Sequence, residues 1–174
     1  MRDFQKFIEK NRREMYAVAY DNCQHDEEGH CIFPKDDPWM NDTVWDTDQH
    51  EDNHQGVRYI AAANKEREVW SAWVRYEDRL DEGKYRPVLV IDVDGDKAVV
   101  MSVPFTSIEP RDEYDIEVFD WTEIPLNHIS TARISKTIVI PVSDFLKKLG
   151  KVSDDDWDNI TNLLMQYMEH YGIE

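Results

Sequence analysis

The stretch "GKYRPVLVID", Gly83 to Asp92, runs from a short polar segment through an arginine–proline pair into an unbroken apolar run. The apolar run is rich in Val, Leu and Ile and reads as a buried strand. Its opening is unusual. A permanently charged residue, Arg86, is followed directly by Pro87, which has no backbone N–H to donate. Proline also biases the residue before it toward an extended backbone, so Arg86 is held out straight at the lip of the strand. An arginine so held can serve a surface ion pair, with the proline marking a strand start. It can equally aim a fixed positive fork at phosphate oxygens.

Working outward, "PVLVIDVDGDKAVVMSVPF" reads as a β-hairpin that turns at Asp94-Gly95, where both residues tolerate positive φ. Upstream, "EVWSAWVRYED" is a strand led by aromatics, and the polar "DRLDEGKY" links the two as a loop. Downstream, "EYDIEVFDW" alternates as a further strand and "ARISKTIVIPV" supplies one or two more. Ser143 is expected to cap a short helix, "DFLKKLG", that Gly150 ends. Ser153 and Asp156 form a capping-box-like start for a last helix, with Trp157, Ile160, Leu163, Leu164, Met168 and Tyr171 on one stripe. Asp154 to Asp156 sit in its first turn, where acidic groups suit the helix dipole. The class is α+β, and short, closely linked antiparallel strands of this kind tend to close into a small barrel.

The first 68 residues differ in character. Phe4, Phe7, Ile8, Met15 and Val18 fall at helical spacing, giving an amphipathic helix that packs on its own core or on a partner. From Asp21 to Gln55 the chain is acidic and without period, but Trp39, Met40, Val44 and Trp45 argue for an irregular loop pinned by its tryptophans. The whole chain has 174 residues, is 41% hydrophobic and carries a net charge of −17. That balance weighs against broad, nonspecific nucleic-acid binding, which draws on basic surface. No apolar run approaches the roughly 18 residues of a membrane span. The charged start "MRDFQKFIEKNRREMY" lacks a signal-peptide core, so a cytoplasmic protein is expected, with no membrane partner.

The order of motifs "GKYRPVLVI", "VPFTS", "DWTEIPLNHISTARISKTIVIP" and "LKKLGKVSDDDWDNI" resembles the MazF/PemK family, the toxins of type II toxin–antitoxin systems. The likeness runs from about Val69 to the C-terminus and divides the chain into residues 1–68, an N-terminal helix with an acidic irregular extension, and residues 69–174, the family-like part. It implies an SH3-like barrel with a C-terminal helix, a homodimer, a cognate antitoxin as partner and cleavage of single-stranded RNA with no metal or other cofactor. In that chemistry the 2′-hydroxyl attacks the adjacent phosphate and leaves a cyclic phosphate. The resemblance assigns catalytic roles to Arg86, Thr106 and Arg133, and places Ser107 beside Thr106. Some family members carry Arg-x-Asp where this chain has Arg133-Ile134-Ser135. Serine is a poor general base at neutral pH, and arginine stays protonated, so a base must come from elsewhere. His128, seven residues before Ser135, is one candidate, because histidine is the side-chain type suited to proton transfer near neutral pH; a passive histidine is the other reading. Ser107, His128 and Ser135 are therefore the expected substrate contacts.

Three other groupings carry a chemical reading of their own. Cys23, His25, His30 and Cys31 are zinc-type ligands, although their spacing is poor for one tetrahedral ion, and a plain polar loop is the alternative. "DVDGD" resembles a calcium loop, but the twelfth position is Val103, so it reads as a hairpin turn. The acidic "WDTDQHEDNH" reads as a solvated loop, or as a cover over a basic RNA groove. The leading function is an endoribonuclease acting on single-stranded RNA. The alternative is a catalytically inactive barrel that acts as a protein-interaction module, favoured by Ser135 and the acidic charge.

Overall fold

A computed structural model describes residues 2–21, 67–76, 79–94, 99–119, 124, 126 and 128–172. The zinc-type residues Cys23, His25, His30 and Cys31, the tryptophans Trp39 and Trp45 and the acidic run that follows them lie outside the described residues. Helix α1 (Arg2–Asp21) is followed by strands β1 (Glu68–Tyr76), β2 (Arg79–Asp94), β3 (Val99–Thr106), β4 (Asp115–Val118), β5 (Ser130–Arg133), β6 (Ile138–Pro141) and β7 (Phe145–Lys151), and then by helix α2 (Asp154–His170). All strand pairs are antiparallel, in the order β4-β5-β3-β2-β1-β7, with β6 also on β3.

Two apolar cores lie on the two faces of this sheet. Leu89, Ile91, Met101, Val103 and Phe105 point to one side, where they meet Phe4, Ile8 and Met15 of α1 and Trp157, Ile160, Leu164 and Met168 of α2. Phe4 packs edge-on against Trp157 with ring centroids 5.7 Å apart. The amphipathic stripe of α1 is thus spent on the chain's own core. On the opposite face, Trp70, Ala72, Val74, Val88 and Val90 form a second core with Ile140 of β6 and Phe145 of β7. Strands β6 and β7 sit at the two ends of the row β6-β3-β2-β1-β7, yet both reach this core, so the sheet curls around it. The small SH3-like barrel expected from sequence takes the form of a curled, open antiparallel sheet of an α+β fold.

Two local expectations are corrected. The "DFLKKLG" segment is strand β7, and its Phe145 to Lys151 pair with Ala72 to Glu68 of β1. Ser143 lies in a 3₁₀ turn, Val142–Asp144, and Gly150 is a strand residue opposite Val69. The pairing ties Lys148 Nζ to the buried Glu68 carboxylate at 2.6 Å. Likewise the polar "DRLDEGKY" is largely strand: β2 starts at Arg79, directly across from Tyr76. Gly83 is required there, because a Cβ would meet Trp73 Nε1 and the Val74 carbonyl at 2.8 Å. The last helix is as read: the Ser153 side chain accepts the Asp156 N–H, with Asp154 to Asp156 in the first turn. Tyr171 lies one residue past that helix and is exposed.

If α1 belongs to the core, Phe4→Ala should cost about 3 kcal/mol of stability, as for other buried phenylalanines. Urea unfolding measures this directly, and a change below about 0.5 kcal/mol would mean that α1 adds nothing to the folded unit.

Candidate active site

Strand register assembles the site. Leu89 pairs with Val103 and Val88 with Pro104 across β2 and β3. The ladder ends at Val88–Pro104, and its register, carried two residues further, would align Arg86 with Thr106. On the other edge of β3, Thr106 pairs with Thr131 and Phe105 with Ala132. One further step sets Arg133 across from Pro104. Strand β5 then passes the row to β4, where Asp115 pairs with Arg133 and Glu117 with Thr131. Opposed residues share a face of a sheet, as do residues two apart along a strand. Arg86, Thr106, Thr131, Arg133, Asp115 and Glu117 therefore all lie on one face. It is the face turned away from the helices, since Phe105, Val118 and Ala132, of opposite parity, belong to the helix-side core.

Each side chain brings a distinct property. Arg86 is half-buried, and its Nε is buried without a hydrogen-bond partner among the described residues. Its guanidinium lies 5.9 Å from the centroid of the Tyr76 ring, within cation–π range. Desolvation is the main influence drawing its pKa down; the like charge of Arg133 adds to this, and Tyr76 opposes it. An arginine remains charged regardless, so the net result is a cation short of counter-charge. Arg133 is better provided: its Nε lies 3.3 Å from Asp115 Oδ1, and Asp115 is only 1% exposed. The other Asp115 oxygen accepts the Arg111 N–H at 3.0 Å. Asp115 is thus fixed from two sides and fixes Arg133 in turn.

Thr106 ends β3 with its Oγ1 accepting the Ile108 N–H at 3.3 Å, which leaves the hydroxyl proton free to donate. Ser107 follows in an exposed bend at the rim. Ser135 sits in the 3₁₀ turn Ile134–Lys136, with its Oγ 3.5 Å from Asp112 Oδ2 and its carbonyl accepting from the Tyr167 hydroxyl at 3.4 Å. His128 occupies an exposed bend before β5, and its carbonyl accepts from Ser130 Oγ at 3.1 Å. The structure therefore brings Arg86, Thr106 and Arg133 together and sets Ser107 at their edge, while the His128 ring has no hydrogen bond or ion pair among the described residues. Sequence reading missed Asp115, Glu117 and Thr131. The alternation in "EYDIEV" does place Asp115 and Glu117 on one face, but nothing local shows which arginine or threonine they meet. Among the described residues no group of three or more His, Cys, Asp or Glu side chains could hold a metal ion. Among them, too, no helix is long and apolar enough to cross a membrane.

The chain resembles the structure of the Mycobacterium tuberculosis toxin MazF-mt6, with 19% identity over 59% of this chain and 97% of that one and a TM-score of 0.48. It also resembles a mycobacterial endoribonuclease solved in complex with its cognate antitoxin (14% identity, 62% and 96% of the chains, TM-score 0.49). MazF from Deinococcus radiodurans is similar at 14% identity, over 62% and 96% of the chains, with a TM-score of 0.48. No curated protein matches the chain. A family model, the PemK-like, MazF-like toxin of type II toxin–antitoxin systems, matches residues 65–168, which is more than half of the chain. On that match, this protein belongs to the PemK-like, MazF-like toxin family of type II toxin–antitoxin systems.

Proposed function

We propose that the chain is an endoribonuclease that cuts single-stranded RNA without a metal ion, by attack of a 2′-hydroxyl on the adjacent phosphate. The observation that carries this reading is the register that gathers Arg86, Thr106 and Arg133 on one face of neighbouring strands. A phosphoryl transition state spreads negative charge over its oxygens, and preorganised donors aimed at that charge do most of the catalytic work. Arg86, with no carboxylate against it among the described residues, is free to serve the phosphate. Thr106 donates its hydroxyl to a non-bridging oxygen and positions the group. Arg133, steered by Asp115, adds a second positive charge. Ser107, His128 and Ser135 contact the flanking nucleotides. Residues 69–174 form the toxin unit and residues 1–68 its extension, the protein acts in the cytoplasm as a homodimer, and its cognate antitoxin competes for the RNA face.

A second reading, an inactive fold kept as a protein-interaction module, is favoured by Ser135. Its hydroxyl faces Asp112, so the position holds no free base.

The decisive experiment incubates purified chain with a long single-stranded RNA and maps the ends. Cleavage should persist in excess chelator and leave cyclic phosphates; inertness across varied RNAs would sink the enzyme reading and leave the interaction module. Arg86→Ala should cut the rate about a hundredfold, equivalent to about 3 kcal/mol of transition-state stabilisation. Its circular dichroism should match the parent, and loss of the fold would make Arg86 a structural residue instead. Light scattering at micromolar concentration should give twice the mass of one chain; a strict monomer would remove the homodimer.

A further inference from the structure

The ribonuclease reading leaves one chemical role unfilled. Attack by a 2′-hydroxyl requires a group to take its proton, and the position that holds an aspartate in some family members is Ser135 here. The carboxylates near the arginines differ in availability. Asp115 is buried and committed to Arg133 and to the Arg111 N–H. Asp112 accepts the Tyr114 N–H at 2.9 Å, faces Ser135 and lies in the loop before β4, off the ladder. Glu117 is different. It stands in β4 on the same face as Arg86, exposed to solvent, and its carboxylate makes no hydrogen bond or ion pair among the described residues.

Its register is what matters. Glu117 pairs with Thr131, and Thr131 with Thr106, so these three form one transverse row, and Arg86 stands beyond Thr106 on the same face, past the last β2–β3 pair, Val88 with Pro104. Neighbouring strands lie about 4.8 Å apart, so the three strand steps from β4 to β2 amount to roughly 14 Å along the curled sheet. Between those two strands stand Thr106, half-buried, and Thr131, buried at 3% exposure. For Glu117 to act, the ribose that carries the attacking 2′-hydroxyl must lie on the β4 side of a phosphate held by Arg86 and Thr106.

We infer that Glu117 is the catalytic residue that accepts the 2′-hydroxyl proton, an inference that rests on the ribonuclease reading. The balance is simple. The O2′–H proton passes to the Glu117 carboxylate, the O2′–P bond forms and the P–O5′ bond breaks. The departing 5′-oxygen takes a proton from solvent, and Glu117 returns its own to solvent. The products are a cyclic phosphate and a 5′-hydroxyl, with no oxidant, reductant or further reactant needed.

The test compares the parent chain with Glu117→Gln and Glu117→Asp under single-turnover conditions on the long single-stranded RNA. Binding is measured separately with single-stranded DNA of the same sequence, which lacks the 2′-hydroxyl. Gln keeps the shape and loses the ability to take the proton. It should slow cleavage by about a hundredfold or more while leaving DNA binding unchanged. Asp, which keeps the carboxylate on a shorter arm, should recover part of the rate. An active parent with an equally active Glu117→Gln chain would overturn this inference alone. So would a rate loss matched by an equal loss of binding, since that marks a substrate contact. An inert parent would overturn the ribonuclease reading and take this inference with it.

Discussion

Strand β3 has two edges, and the second is shared by two strands in succession. β2 runs along one edge from Val99 to Pro104. On the other, β6 covers Val99 to Ser102 and β5 covers Phe105 and Thr106. β5 and β6 are consecutive in the chain, so they behave as one strand broken at Ile134–Lys136. The break is closed by local bonds: Thr137 Oγ1 donates to the Ile134 carbonyl at 2.7 Å, and the Ile134 N–H donates to Tyr114 at 3.0 Å. Fully buried Ile134 and Thr137 leave little freedom to slide. A one-residue slip would turn every side chain of β5 to the other face. Arg133 would then join the helix-side core and Ala132 the site. Core packing and site geometry are therefore enforced by the same register.

That coupling explains which parts of the molecule were legible in sequence. Helical stripes are local, so α1 and α2 could be read directly, including the Ser153 cap. The strand carrying Arg86 was legible from its apolar run and its proline. β7 was not. Phe145, Leu146 and Leu149 have helical spacing, and only pairing with β1, some 75 residues away in the chain, makes the segment extended. Glu68 contributes to that outcome by giving a buried carboxylate to Lys148 and to the Trp70 indole, which donates at 3.0 Å. The start of β2 was missed for a related reason: its polar composition suggests a loop, while the ladder to β1 continues through it.

The site divides in the same way. Arg86, Thr106 and Arg133 could be picked out because each sits in a short motif. Asp115, Glu117 and Thr131 have no motif of their own, and their meaning comes from cross-strand neighbours. Charge makes the point physically. In a chain of net charge −17 acidic groups outnumber cations, and Arg133 has Asp115. Arg86 is instead flanked by a tyrosine face and a second arginine, with a buried Nε unpaired among the described residues. Such an arrangement opposes stability, since desolvated polar groups without partners are costly. Groups left in that condition are most useful where an anion supplies the missing charge.

The helix α1 is more closely tied to this arrangement than its place in the sequence suggests. Arg12 pairs with Asp92 at 2.8 Å and donates to the Val93 carbonyl, so α1 grips the far end of β2, the strand that begins its apolar run at Arg86. Phe4 meanwhile anchors the other end of α1 on α2. α2 also reaches the broken strand, through the Tyr167 hydroxyl on the Ser135 carbonyl. Tyr167 in turn packs edge-on against Tyr114, the residue beside Asp115, with ring centroids 4.9 Å apart. Among the described residues no hydrogen bond, ion pair or ring contact joins the helices to the three motif residues, yet the helices clamp the two strands, β2 and β5, that must hold Arg86 and Arg133 on either side of Thr106. Exposed surface on the site face is thus free to vary, whereas the spacing of its two arginines is set from behind by the packing of α1 and α2.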